Sequence, residues 1–154
     1  MYGAGAAKIG SIVGKGQSAG EELINSFLEA TPALAKLKAK VQRIAVNGSV
    51  PGLDGRRIHV RSSHAALNSL LQSAGAILMK EALVLFKNYL TERDIPAKIV
   101  ANIHDEWQVE VKEAYADEVG KLGVKAIEDA GTNLGLRCPV TGEYRVGNNW
   151  KETH

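Results

Sequence analysis

The segment that most constrains the fold is residues 99–111, in which two short apolar runs flank the polar triplet His104-Asp105-Glu106. In the second run Trp107 and Val109 alternate with polar residues, which is the two-residue period of a half-buried strand. The pattern predicts a β-hairpin with two adjacent carboxylates at its tip. Carboxylate oxygens are the ligands that hard divalent cations such as Mg²⁺ prefer, although acidic residues at a turn are more often only solvated.

Helical periodicity and end signals predict the remaining elements. Ser18 and Glu21 have the spacing of a capping box, and Thr31 precedes a proline at the first position of a helix. Asp54-Gly55 is a hairpin signal. The predicted elements are helices over about residues 19–29, 32–46, 64–89 and 113–134, a hairpin over 50–60, and a closing strand pair over 138–140 and 144–146. This order implies an α+β fold, with an antiparallel sheet backed by helices.

The longest predicted helix carries a polar stripe beside an apolar one. The apolar stripe, expected to be buried, consists of Leu67, Leu70, Leu71, Ala74, Ile77 and Leu78. The polar stripe is His64, Asn68 and Gln72, which are four residues apart and span on the order of 12 Å along a helix. That length matches several stacked base pairs, and amide side chains suit the acceptors of the minor groove. The alternative is an ordinary polar flank that faces water.

The helix predicted over residues 32–46 has a basic face, formed by Lys36, Lys38, Lys40 and Arg43. Such a face is either solvated or in contact with a phosphate backbone.

Composition excludes several classes of protein. The chain has 154 residues, a formal net charge of +2 and a single cysteine, Cys138, so it has no internal disulfide framework and fits a reducing compartment. No run approaches the length of a transmembrane helix, and the N-terminus lacks the pattern of a signal peptide. We therefore expect a soluble cytoplasmic protein.

Several segments, in their order along the chain, resemble the C-terminal part of family A DNA polymerases. This is the class of bacterial DNA polymerase I, and the resemblance is greatest to the replicative polymerases of short-tailed phages. The opening Tyr2-Gly3-Ala4-Gly5 resembles the end of motif B in the fingers. Residues 52–57 and 64–75 are similar to the palm hairpin and the long helix of the family. Residues 100–111 match motif C. The closing segment Gly147–Trp150 and His154 also match.

The resemblance implies a palm antiparallel sheet backed by helices and preceded by part of the helical fingers. It divides the chain into the C-terminal part of the fingers, residues 1–47, and the C-terminal part of the palm, residues 48–154. It also implies template-directed DNA synthesis from deoxynucleoside triphosphates by a two-metal mechanism with Mg²⁺.

In that mechanism Asp105 is the metal ligand from motif C, Glu106 is its neighbour near the primer end, and His104 holds the primer terminus. The resemblance further implies that Asn68 and Gln72 check base-pair shape from the minor groove. His64 stands where the family often has arginine, so its contact with DNA is less closely matched.

Two more DNA contacts follow from the resemblance. Tyr2 would stack at the insertion site, and Arg57 would meet a phosphate, unless it forms a structural salt bridge instead.

The aspartate of motif A, in an Asp-Tyr-Ser-x-Ile-Glu context, is absent from the sequence, as are the thumb and the proofreading exonuclease. We therefore expect the C-terminal subunit of a split phage polymerase, or a fragment, that is active only with an N-terminal polypeptide carrying motif A, the remaining fingers and the thumb. The other expected partners are primer-template DNA, deoxynucleoside triphosphates and, as a further candidate, a processivity factor. The expected location is the cytoplasm of an infected bacterial cell.

Two other functions fit part of the pattern. A fragment of a single-subunit RNA polymerase shares the palm, but its motif C usually continues His-Asp with Ser, whereas Glu106 follows here. A DNA-binding accessory module without catalytic activity would not need the intact triplet. A stand-alone metal hydrolase is the least favoured, because the sequence has only one carboxylate cluster of this kind.

Overall fold

Glycine allows the first two helices to approach closely. The computed structural model describes residues 4–153 and begins with α1 (Ala6–Ile12) and α2 (Gln17–Ala30). A Cβ atom at Gly20 would lie 2.0 Å from the carbonyl oxygen of Ala6, so no other residue fits there without a shift of the backbone. The predicted capping box is wrong, because α2 begins at Gln17, before Ser18.

Helix α3 (Pro32–Ala45) starts with proline at its first turn, as predicted. Thr31 does occupy the N-cap, but its hydroxyl donates backwards to the carbonyl oxygen of Phe27 at 2.6 Å and caps nothing in α3. After the helix, Gly48 has a φ of +76°, a conformation that glycine adopts without strain.

The predicted hairpin around Asp54-Gly55 is confirmed as an antiparallel pair, β1 (Ser49–Pro51) and β2 (Arg57–His59). Its inner face packs on α3 and on the start of the next helix. The buried cluster there consists of Val41, Ala45, Val50, Val60 and Ala66.

Helix α4 (Ala66–Glu92) is the longest element, preceded by a 3-10 turn at Ser63–Ala65. Ser62 caps this turn, since the Ala65 N–H donates to Ser62 Oγ at 3.4 Å. The predicted apolar stripe is only partly correct, because Leu71 is 51% exposed. The buried α4 residues are Ala66, Ile77, Ala82, Phe86 and Leu90.

By length and composition alone, the segment Ser63–Glu92 is apolar enough to cross a membrane, contrary to the sequence expectation. However, α4 contributes Ala66 to one buried cluster and Phe86 and Leu90 to another. Core helices of soluble proteins pass the same test of length and composition.

The carboxylate hairpin forms as predicted, with β3 (Lys98–Ile103) antiparallel to β4 (Glu106–Glu110). Helix α5 (Ala116–Asn133) follows after a 3-10 turn at Glu113–Tyr115. The second buried cluster joins α4, the loop before β3, and α5: Phe86, Leu90, Ile95, Val119, Leu122 and Ala126. The predicted inward face of β4, with Trp107 and Val109, packs against this cluster, as does Val111 just after the strand.

The C-terminal segment packs on α5 without forming strands, so the predicted strand pair over 138–146 is wrong. Side-chain contacts replace the backbone ladder. The Tyr144 ring lies where a Cβ of Gly120 would be, and its hydroxyl donates to Asp117 Oδ1. Hydrogen bonds from Lys121, and then from Tyr144, lower the pKa of Asp117. A short helix, α6 (Trp150–Thr153), follows.

The predicted α+β class is confirmed, with the strands of residues 4–153 arranged as two separate two-stranded antiparallel sheets. The chain divides into two compact units between Ser73 and Ala74, within α4. The first sheet and the first cluster belong to one unit, and the second sheet and cluster to the other. The division into fingers (1–47) and palm (48–154) remains a prediction.

Candidate active site

The candidate site is the tip of the β3–β4 hairpin, where a two-residue turn joins the strands. Ile103 pairs with Glu106, so His104 and Asp105 alone make the connection. His104 has a φ of +52°, whereas Asp105 does not have a positive φ. Positive φ at only the first central position is the sign pattern of a type II′ turn, which usually places glycine there. A histidine held in this region is strained, and such strain concentrates at functional sites.

An aromatic stack anchors the hairpin to the helical layer. The indole of Trp107 lies parallel to the ring of Phe86, with centroids 5.3 Å apart and planes 10° apart. Phe86 is 1% exposed on α4, and Trp107 follows Glu106 directly on β4. The Trp107 Nε1–H is buried and has no hydrogen-bond partner within residues 4–153, so the indole is held by packing alone. The stack therefore fixes β4 at Trp107, the residue directly after Glu106.

The two carboxylates of the tip have different surroundings. Asp105 is exposed, and its side chain forms neither a hydrogen bond nor an ion pair with any described residue. Glu106 is partly buried, and its Oε1 accepts a hydrogen bond from Gln108 Nε2. Adjacent carboxylates supply the oxygen donors that Mg²⁺ requires, and the exposed, uncommitted Asp105 fits such an ion. Across residues 4–153, no three His, Cys, Asp or Glu side chains converge.

The predicted minor-groove residues lie along one segment. His64 belongs to the 3-10 turn before α4 and is exposed, whereas Asn68 and Gln72 lie one turn apart on α4 itself. Gln72 is exposed, but Asn68 Oδ1 is buried and accepts no hydrogen bond from the part of the chain that is described. A buried acceptor without a donor costs about 1–3 kcal/mol. The Asn68 carbonyl oxygen is thus shielded from water, whereas Gln72 has the exposure of an ordinary polar flank.

Arg57 is exposed on β2, and its guanidinium donates to Ser49 Oγ at 3.2 Å. It forms no ion pair within the described residues. The neighbouring Arg56 pairs with Asp54 at 2.5 Å. Tyr2, predicted to stack at the insertion site, lies outside the described residues.

Sequence reasoning missed two residues that support the site, Gln108 and Phe86. Gln108 was identified only as a polar position of β4, and its two-residue spacing from Glu106 was the available signal. Phe86 lies on a helix eighteen residues before the turn, and no local pattern connects it with Trp107.

Comparison with known proteins identifies the family. The family model described as "DNA polymerase family A" matches residues 1–152. The chain belongs to DNA polymerase family A. It is 40% identical to the DNA-directed DNA polymerase of Enterobacteria phage T3 and 39% identical to that of Escherichia phage T7, in both cases over 100% of its own length. This family A chain spans 25% of the length of each of these phage relatives.

More distant members and solved structures agree. The chain is 27% identical to DNA polymerase I of Pseudomonas aeruginosa over 100% of its length, which is 18% of that protein. Its fold matches the POL domain of Pol1 from M. smegmatis, solved in complex with DNA primer-template and dNTP, with a TM-score of 0.75. At 19% identity, this match covers 84% of the family A chain and 25% of the other, and it establishes the fold.

Proposed function

We propose that this family A chain supplies the motif C half of a template-directed DNA polymerase active site. The reaction joins a deoxynucleoside monophosphate to the primer 3′-hydroxyl and releases pyrophosphate. The observation that carries the proposal is the uncommitted carboxylate of Asp105 at the tip of an anchored two-residue turn. A carboxylate without a protein partner breaks no hydrogen bond or ion pair when it becomes a ligand, and the stack of Trp107 on Phe86 keeps the adjoining strand in place.

Asp105 and Glu106 would hold divalent ions. Two Mg²⁺ ions, when bound, lower the pKa of the attacking hydroxyl and offset the charge of the leaving phosphates. In the proposed site Asp105 is the ligand from this chain, and Glu106 stands at the primer end beside it. His104, exposed at the first turn position, donates a hydrogen bond to the primer terminus.

The proposed primer-template interface uses the other predicted residues. Gln72, exposed on α4, and Asn68 one turn before it would face the minor groove. His64, Arg57 and Tyr2 remain proposed DNA contacts, with Arg57 at a phosphate.

Charge supports a wider contact with phosphates. Between residues 30 and 73 the chain has seven Lys and Arg residues but a single carboxylate, Asp54, which Arg56 already engages. On α3, Lys36, Lys40 and Arg43 are exposed on one face, and none forms an ion pair with a described residue. Cations without nearby carboxylates favour a polyanion such as DNA. We include this α3 basic face in the proposed interface.

The proposed activity needs further polypeptide. A two-metal site requires the motif A aspartate, which the sequence lacks, so the active assembly combines this chain with a segment that carries motif A, the remaining fingers and the thumb. We propose that this segment is an N-terminal companion polypeptide, that a processivity factor is a further candidate member, and that the assembly acts in the cytoplasm of an infected bacterial cell.

A primer-extension assay on the active assembly tests the proposal. We expect incorporation of deoxynucleotides that depends on the template and on Mg²⁺, with ribonucleotides poorly used. Preferred use of ribonucleotides would favour the RNA polymerase alternative. DNA binding without any incorporation would favour the accessory module.

A further inference from the structure

The outward face of β4 carries Gln108, a side chain that the two-metal mechanism leaves unused, next to Glu106. Residues alternate between the two faces of a strand, so Glu106 and Gln108 point away from the buried cluster that Trp107 contacts. Gln108 Nε2 donates to Glu106 Oε1, and both side chains are partly buried. The next residue on this face, Glu110, is exposed and pairs with Lys98 across the hairpin at 3.7 Å.

A β-bulge in the partner strand lies opposite this hydrogen bond. Ile99 pairs with Val109, but the next pair is Ala101 with Gln108, so Val100 is the extra residue of β3. Val100 and the small Ala101 together oppose Gln108, so the hairpin departs from regular pairing beside the hydrogen bond.

We propose that Gln108 is a positioning residue for Glu106, an inference that rests on the proposed polymerase function. The Gln108 amide donates to one carboxylate oxygen and thereby restricts Glu106 to one orientation next to Asp105. An amide donor orients a carboxylate without neutralising it, whereas a lysine or arginine at the same place would offset its charge. Glu106 thus keeps its full charge at the primer end while its geometry is fixed.

The test uses two variants of the active assembly. Gln108→Leu removes the donor and keeps a side chain of similar size. The double variant Glu106→Gln/Gln108→Glu restores an amide-carboxylate pair with the carboxylate two residues further from the turn. The measurements are kcat and KM for a deoxynucleotide at saturating primer-template, the Kd for primer-template, and the thermal unfolding temperature. Glu110→Gln is the matched control, because Glu110 lies on the same face and its ion-pair partner is Lys98 across the hairpin.

We expect Gln108→Leu to lower kcat by roughly fivefold or more, the effect of removing one hydrogen bond, while both KM and Kd stay within about twofold. The double variant should recover the unfolding temperature but not kcat, because its carboxylate is misplaced. Glu110→Gln should leave kcat unchanged.

Three results would overturn the inference. Normal kcat in Gln108→Leu would do so. Recovery of kcat in the double variant would also do so, because the exchange restores the hydrogen bond but not the position of the carboxylate, as a purely structural role requires. An equal loss of kcat in Glu110→Gln would indicate a general effect of this face. A wild-type assembly that binds DNA but never incorporates would instead refute the proposed function itself, and this inference with it.

Discussion

The Trp107 indole lies parallel to the ring of Phe86, with centroids 5.3 Å apart, and so attaches the carboxylate hairpin to helix α4. Both residues belong to the same compact unit, and Phe86 is among its most deeply buried side chains. The position of the turn therefore depends on a contact that is distant in sequence.

Replacing Phe86 with leucine should destabilise this unit. The change removes the stacking partner of Trp107 and leaves a small cavity, at a cost of about 1–3 kcal/mol in the free energy of unfolding. Chemical denaturation followed by circular dichroism measures it. Phe27→Leu is the control, because Phe27 is 43% exposed on α2 and should change stability by less than about 0.5 kcal/mol. Equal effects of the two substitutions would contradict the anchoring role.

Gly120→Ala should lower stability even though alanine is the better helix former. A Cβ at Gly120 would lie 2.2 Å from the Tyr144 ring, so the C-terminal segment must move away from α5. Gly75→Ala in α4 is the matched control, because a Cβ there would meet nothing within 4 Å. It should gain about 0.5–1 kcal/mol in thermal unfolding experiments. A comparable gain in Gly120→Ala would refute this packing of Tyr144.

These two contacts show where sequence reasoning succeeds and where it stops. The β3–β4 hairpin and α4 were predictable, because each has a local period and local end signals. The C-terminal segment has strand-like composition, yet its backbone forms no ladder, because Tyr144 and Val140 pack beside glycines of α5. Such tertiary contacts override local propensity and leave no periodic signal.

The candidate site divides in the same way. The position of Asp105 and Glu106 at the tip of a hairpin was predictable from the alternation beside them, whereas their role remains a prediction. The hydrogen bond from Gln108 lies opposite a bulge that shifts the register of β3 by one residue, which the alternation of residues alone does not predict.

Removing positive charge from the α3 basic face should weaken DNA binding and its dependence on salt. The binding constant for DNA falls as the salt concentration rises. The triple substitution of Lys36, Lys40 and Arg43 by glutamine should make this dependence shallower, by up to about 0.7–0.9 in the slope of its logarithm against log salt for each phosphate that is no longer neutralised. Fluorescence anisotropy with blunt duplex, recessed primer-template and single-stranded DNA would show which backbone is bound.

The matched control removes the same charge from the other compact unit, by substituting glutamine for Lys80, Lys87 and Lys112. It should retain the wild-type slope. Identical slopes for all three proteins would show that the α3 basic face is only solvated.

His104→Gly should separate backbone strain from function. Glycine accepts the φ of +52° without strain, so the free energy of unfolding should stay the same or rise by up to about 1 kcal/mol. Nucleotide incorporation should fall by roughly 5–30-fold, because the proposed hydrogen bond to the primer terminus can no longer form.

Asp94→Gly is the control for His104→Gly. Asp94, in the turn after α4, is the other non-glycine residue with positive φ in the described chain, at +53°. Its substitution should affect stability similarly and leave incorporation unchanged. A His104→Gly variant with full activity would remove His104 from the proposed site.

The central claim is that Asp105 is the metal-holding carboxylate of this chain, and Asp105→Asn in the active assembly tests it most directly. The measurement is single-nucleotide incorporation with Mg²⁺, alongside the Kd for primer-template. We predict nearly unchanged DNA binding and a loss of incorporation of about 10²–10³-fold, because removal of a metal ligand costs several kcal/mol of transition-state stabilisation. Incorporation above roughly a tenth of the wild-type rate would contradict the claim.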